Sequence, residues 1–277
     1  MHEPEEPANP YSSAYDDFRP REAVRGPIAV VPTKVDAGDI LNHAWETFKI
    51  HWGPLFGAFM IITIIGYVIG FANSMIQLFL FDLPNMQQGP GAAPNPFAQQ
   101  GFHPVGLLMS FAGNILQQFF YLGFARMNLD AARGETPRIE QIFGAGRWFL
   151  PFLGWYILFT IGIVFGFVLL IVPGIILALM WWPGQYLIID DQCGPMEAFS
   201  KAREITSGNK GTTFVLWMAA FGITILGILA LCVGVFVAAP FISLIFATAY
   251  AMMSGQIGYS AQETAPVEDY GFGTEFQ

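Results

Sequence analysis

The chain has little of what a protein facing water needs. Of its 277 residues only 12% are charged, four are histidine and two are cysteine. So little charge excludes an ordinary solvated surface. The net charge of −9, with no cluster of Lys and Arg, excludes nucleic acid as a partner. Cys193 and Cys232 fall at a membrane edge and inside a span in the topology below, so they read as unpaired thiols and not as a disulfide. HExxH, GxSxG and P-loop patterns are missing, and His43 and His51 stand too far apart to chelate one metal. The N-terminus is acidic and Pro-rich with no early apolar region, so no cleavable signal peptide is expected and the first span doubles as the targeting signal.

What is present is apolar: 54% hydrophobic and 16% aromatic residues. A membrane span needs about 20 consecutive apolar residues, and the pattern predicts six, over 54–81, 105–125, 148–172, 175–189, 213–235 and 240–258. Pro173-Gly174 is read as a tight turn between the third and fourth, and Pro183-Gly184 interrupts the fourth, which is therefore expected to be kinked or re-entrant if it does not cross fully. Three short amphipathic helices, over 36–52, 139–147 and 195–206, are expected to lie in the interface. The fold class is all-α, a polytopic membrane helical bundle at 37–258 between disordered acidic tails at 1–36 and 259–277. A short amphipathic helix followed by span, turn and span recurs three times, with thin residue identity between the units.

All 12 Lys and Arg residues fall in segments on one side of these spans. The other side, comprising the loop at 82–104, the Pro173-Gly174 turn and the turn at 234–239, has none. By the positive-inside rule both termini are cytoplasmic.

No Lys, Arg, Asp, Glu or His lies within the six spans, which weighs against a proton- or ion-coupled transporter. Asn73 and Gln77 in the first span, and Asn114 and Gln118 in the second, each follow one helical face, with Asn73 and Asn114 at similar depth. They read as amides bonding between helices, or as a polar cavity for a headgroup or small solute. Gly66 and Gly70, the GxxxG pair Gly162 and Gly166, and a stripe of Ser243, Ala247, Ala251 and Gly255 read as surfaces for close helix packing, within the chain or in a homo-oligomer. Asp190 and Asp191 close the fourth span as an interfacial acidic pair. Paired carboxylates serve as acid and base or bind a cation; with no third acid or His nearby, a charge anchor facing Lys201 and Arg203 is the simpler reading. No catalytic residue, metal site or cofactor is assigned.

Three stretches carry a resemblance: LDAARGETP after the second span, LLIVPGIILALMW, and IIDDQCGPMEAFSKAREITSGN after the fourth. Their order resembles a loose group of bacterial integral membrane proteins of unknown function, related to the membrane domain fused to some glycerophosphoryl diester phosphodiesterases. The resemblance implies a bacterial inner-membrane location and an envelope- or lipid-related role. It does not carry the phosphodiesterase activity, whose active site belongs to a separate soluble domain with no counterpart here. The expected function is a non-enzymatic interaction or assembly component whose partners are membrane lipids and proteins met by its cytoplasmic helices and tails. Lipid or small-solute binding or transport is the alternative, and an interfacial enzyme using the Asp pair is a third reading.

Overall fold

The computed structural model describes residues 31–79, 104–190, 193–230 and 233–257. Residues 1–30 of the first expected tail, all of the second at 259–277, most of the expected loop at 82–104, Asp191 and Cys232 lie outside the described residues. The described chain is helical without a strand: α1 Ala37–Gln77, α2 Pro104–Ala132, a 3-10 helix Ile139–Phe143, α3 Gly146–Leu169, α4 Ile171–Trp181, α5 Gly184–Ile189, α6 Pro195–Ser207, α7 Lys210–Leu229 and α8 Val233–Met253. Five stretches are long and apolar enough to cross a membrane: α1, α3, α4 with α5, α7 and α8. The 29-residue α2 runs antiparallel to α1 and is long enough to be the sixth. The chain is an all-α polytopic membrane bundle.

Burial is uneven along the membrane normal. At the end where α2 and α8 finish and α1, α3 and α7 begin, here the charged end, the helices converge on α8. Its Leu244, Ile245, Ala247, Ala249, Tyr250 and Ala251 expose no surface, and 56% of its apolar window is buried against 17% for α1 and α3. Toward the far end Tyr67, Phe71, Leu108, Phe111, Phe165, Val168, Phe221 and Leu229 are each more than half exposed. Burying such a side chain is worth about 1.5–3 kcal/mol, so lipid is the solvent that this half requires.

Local chemistry explains the breaks. Asp36 caps α1 by accepting from the Gly38 amide at 2.8 Å. The expected interfacial helix and first span are one 41-residue helix, kinked at His51 (φ −113°, ψ 16°) three residues before Pro54. Proline has no N–H to give the preceding turn and crowds its carbonyl, which bends the helix there. The second interfacial helix is only a five-residue 3-10 helix, packed so closely on α2 that a side chain on Gly123 would run into the Ile142 backbone.

The expected Pro173-Gly174 turn is corrected. The chain reverses at Leu170 (φ −168°, ψ 150°), and Pro173 and Gly174 sit in the first turn of α4. A proline is harmless there because first-turn amides have no helical partner to lose. Gly174 is needed for proximity: a Cβ on it would stand 2.8 Å from the Phe167 ring, and one on Gly166 would stand 2.9 Å from the Gly174 Cα.

The expected tail is corrected at its last six residues, which are extended and bonded to the bundle. The Val31 and Thr33 amides donate to Ser254 and Met253 carbonyls at 2.9 and 2.8 Å. The Val35 amide donates to Asn209 Oδ1 at 3.0 Å, and Asn209 Nδ2 returns a bond to the Thr33 carbonyl at 2.8 Å. Thr212 Oγ1 donates to the Val35 carbonyl at 2.8 Å. This strap crosses the charged end between α8 and α7.

Candidate functional site

Two helices end alike at the charged end. After α2, Gly134 (φ 80°) donates to Ala131 and Glu135 to Asp130; after α8, Gly255 (φ 72°) donates to Met252 and Gln256 to Ala251. Both are Schellman closures, which turn the chain through a left-handed residue that glycine adopts without steric cost. They leave Arg133, just before its glycine, and Gln256, just after its own, pointing at the end of α5.

Asp190 is what they meet. Its side chain is 4% exposed and that of Arg133 10%. Arg133 Nη2 donates to Asp190 Oδ1 at 2.7 Å and Oδ2 at 2.6 Å. Tyr250 Oη and Gln256 Nε2 each donate to Oδ2 at 2.8 Å. Gln256 Oε1 in turn accepts from Arg133 Nε at 3.0 Å and from Nη2. The Tyr250 ring stacks on Tyr186 of α5, with centroids 5.2 Å apart. The network continues through Arg133 Nη1, 3.8 Å from Asp130, and Arg126 Nε, 3.9 Å from the same carboxylate. Gln141 of the 3-10 helix donates to Asp130 at 2.7 Å, and the Arg126 guanidinium lies 4.4 Å from the Trp148 ring centroid at the start of α3. The guanidiniums of Arg133 and Arg126 face the carboxylates of Asp190 and Asp130, and such pairing is what makes burial of charge tolerable.

A second set of bonds supports the joint. Pro183 and Gly184 break α4 from α5, which deprives the Met180 carbonyl of its helical donor. Thr206 of α6 reaches it at 3.2 Å while also bonding Ala202 at 2.9 Å. Three residues later Asn209, 2% exposed, holds the strap. His43 Nε2 lies 3.0 Å from the Ala132 carbonyl, which ties α1 to the end of α2.

The other sequence candidates fall as follows. Asn73 Nδ2 donates to Ser110 Oγ at 3.0 Å, and Asn114 Nδ2 to the Ser110 carbonyl at 2.7 Å. The pairing register sets Gly66 against Gln117, Ile69 against Gly113 and Asn73 against Ser110. Gln77 and Gln118 therefore lie about three turns apart, ~18 Å along the axis; Asn73 and Asn114 are brought to one serine, and the four amides are not brought into one pocket. A Cβ on Gly162 would stand 2.7 Å from the Trp181 ring, so both Gly162 and Gly166 face α4 within the same hairpin. Gly70 has open space around it. Ala247 and Ala251 are fully buried and Ser243 is half-buried. Gly255 is corrected: α8 ends at Met253, so this glycine caps the helix instead of extending its small-residue stripe. Among the described residues no group of three His, Cys, Asp or Glu is arranged to hold a metal.

Residues 154–256 match a family described as a protein of unknown function (DUF975). That is just over a third of the chain, and it contains Asp190, Thr206, Asn209, Tyr250 and Gln256 but not Arg133. The match carries no link to the glycerophosphoryl diester phosphodiesterases. No curated protein and no solved structure matches the chain. Several residues of the motifs that carried the resemblance, Arg133-Gly134-Glu135, Asp190, Thr206 and Asn209, thus make up the joint at the charged end.

Sequence reasoning named Asp190, with Asp191, as an anchor facing Lys201 and Arg203; Arg133, which it did not connect with this carboxylate, bonds both of its oxygens. Tyr250, Gln256 and Asn209 were missed. Gly134 and Gly255 were the available signal, since a glycine closing an apolar run marks a helix end and directs its neighbours. Asn209 has no comparable marker.

Proposed function

We propose that the chain is a non-enzymatic assembly component of a bacterial inner membrane, with both termini and the charged end in the cytoplasm, where it meets protein partners. One observation carries the reading: the carboxylates and guanidiniums around Asp190 bond one another and Gln141, Tyr250 and Gln256, so their chemistry goes into joining α2, α5 and α8. The grouping of all 12 Lys and Arg residues supports the orientation. The surface at that end includes apolar side chains open to contact, Phe143 at 55% exposure and Met196 at 72%. The test places a photo-crosslinking residue at Phe143 or Met196 of the full chain in its own membrane, with Val168 and Leu229 as lipid-facing controls. Discrete protein adducts from the first pair alone support the reading. Equal adducts from all four positions, or turnover of a substrate that disappears in a folded Asp190→Asn protein, overturn it.

A second reading, binding of a lipid or small solute, is favoured by Asn73, whose Oδ1 is buried beside Ser110 without a partner. Native mass spectrometry of Asn73→Leu checks it: a bound molecule that the unaltered chain retains is lost from the variant.

A further inference from the structure

The far half of the α1–α2 hairpin carries polar groups where lipid has none to offer. Asn114 and Gln117 are three residues apart on α2, and both are exposed. Asn114 lies about ten residues, or ~15 Å, inside the start of α2 and a similar distance from Arg126, so it sits near mid-membrane. Its Nδ2 is bonded to the Ser110 carbonyl at 2.7 Å, which leaves the carboxamide oxygen and one N–H. Gln117 rests against Gly66, with Nε2 3.0 Å from where a Cβ would be, and makes no side-chain hydrogen bond to a described residue. At the depth of Asn114 the neighbouring helix presents Gly70, exposed and with nothing within 4 Å of a Cβ built on it. Polar amides open to hydrocarbon are costly, and amides beside small residues are what drive helix association in a bilayer.

We propose that this face, Asn114 and Gln117 on α2 with Gly70 on α1, is where two copies of the chain pack about a two-fold axis along the membrane normal. The occupant follows from symmetry and chemistry. Two copies inserted in the same sense bring each residue to the depth of its own counterpart. A carboxamide holds both donor and acceptor, so the face is complementary to itself and to no lipid tail. Gly70 lets the backbones come close enough for those bonds. The GxxxG pair Gly162 and Gly166 plays no part, being filled by Trp181 and Gly174 of its own hairpin. The inference concerns the membrane-embedded surface and stands apart from the assembly reading, which concerns the charged end; crosslinking at Phe143 and Met196 leaves it untouched.

The experiment uses the full chain with Cys193→Ser and Cys232→Ser in liposomes. Phe111→Cys and Gln118→Cys, near the face, and Leu116→Cys, on the opposite side of α2, are oxidised in turn. Disulfide-linked dimers form at the first two positions and not at the third. Adding Asn114→Leu with Gln117→Leu weakens self-association by about tenfold or more, read by energy transfer between labelled copies, whereas Asn114→Gln with Gln117→Asn retains it. Thermal unfolding of the Leu variant shows that it remains folded. Crosslinking equal on all sides of α2, a monomer throughout, a dimer unaffected by the Leu pair, or a bound lipid lost in place of a dimer each overturns the proposal.

Discussion

Arg133 and Asp190 stand 57 positions apart in the chain and share a 2.6 Å ion pair between a helix end and a helix end. Neither lies in a regular helix: one follows α2, the other closes α5, and each is placed by how its helix stops. The pair therefore reports on the mutual position of two membrane hairpins. Removing one partner of a buried pair costs about 3–5 kcal/mol, while replacing both with apolar groups costs far less. Arg133→Met and Asp190→Leu are each expected to destabilise the chain by that order, and the double variant to recover most of the loss. Denaturant unfolding in detergent measures all three. Equal, additive losses would show that the two residues act separately.

Gly255 is expected to tolerate alanine less well than Gly134. Both have positive φ, which costs a residue with a Cβ about 1–2 kcal/mol. Gly134 has open space around it, whereas a Cβ on Gly255 would also stand 2.8 Å from the Val31 carbonyl oxygen. Thermal unfolding of the two alanine variants gives the order, and hydrogen exchange at Val31 shows whether the strap has moved.

Asn209→Ala removes one acceptor and one donor from the strap at a site 2% exposed. With each bond worth about 1 kcal/mol, the amides of Val31, Thr33 and Val35 are expected to exchange at least about tenfold faster, with little change in α3. Thr212→Val, which loses a single bond to the Val35 carbonyl, produces a smaller change of the same kind.

Cys193 is expected to alkylate slowly. Burial pushes its thiol up to about 11 from an ordinary 9.0, with Lys201 acting against the rise and Glu197 adding to it. The thiolate is the reactive form, so at neutral pH a Cys232→Ser chain reacts roughly a hundredfold more slowly than an exposed thiol of ordinary pKa. Its rate keeps climbing about tenfold per pH unit through pH 10. A folded pKa above the unfolded value also means that the neutral thiol's contribution to stability is full below pH 9 and is lost as pH rises toward 11. A rate that levels off near pH 9 would show an exposed thiol.

The sequence made the apolar bundle legible because lipid demands long runs, and runs such as that of α3 survive any tertiary arrangement. It made individual ends legible too: Asp190 was recognised as a terminus because a charge after an apolar stretch has few other meanings. What it did not give was partnership. Nothing local in AARGE joins Arg133 to an aspartate 57 positions later, whereas Lys201 and Arg203 are close to it in the chain. Pro173-Gly174 misled for a related reason, since a dipeptide that makes turns also starts helices, and only the seat of Gly174 against Phe167 decides between them. Asn209 was invisible because its role depends on a strap 174 residues upstream.

The reversals at Leu170 and after Leu229 bear on how the chain enters a membrane. Leu169, Leu170, Ile171 and Val172 are all exposed at the tip of their hairpin, and the sequence from Leu229 to Gly234 contains no charged or amide side chain. Neither tip has a hydrated group that must be dragged across hydrocarbon, so each helix pair is able to slide in from one side as a closed hairpin. Between the first two expected spans, by contrast, residues 82–104 carry a carboxylate and several amides, and a first hairpin entering the same way has those hydrated groups to transfer.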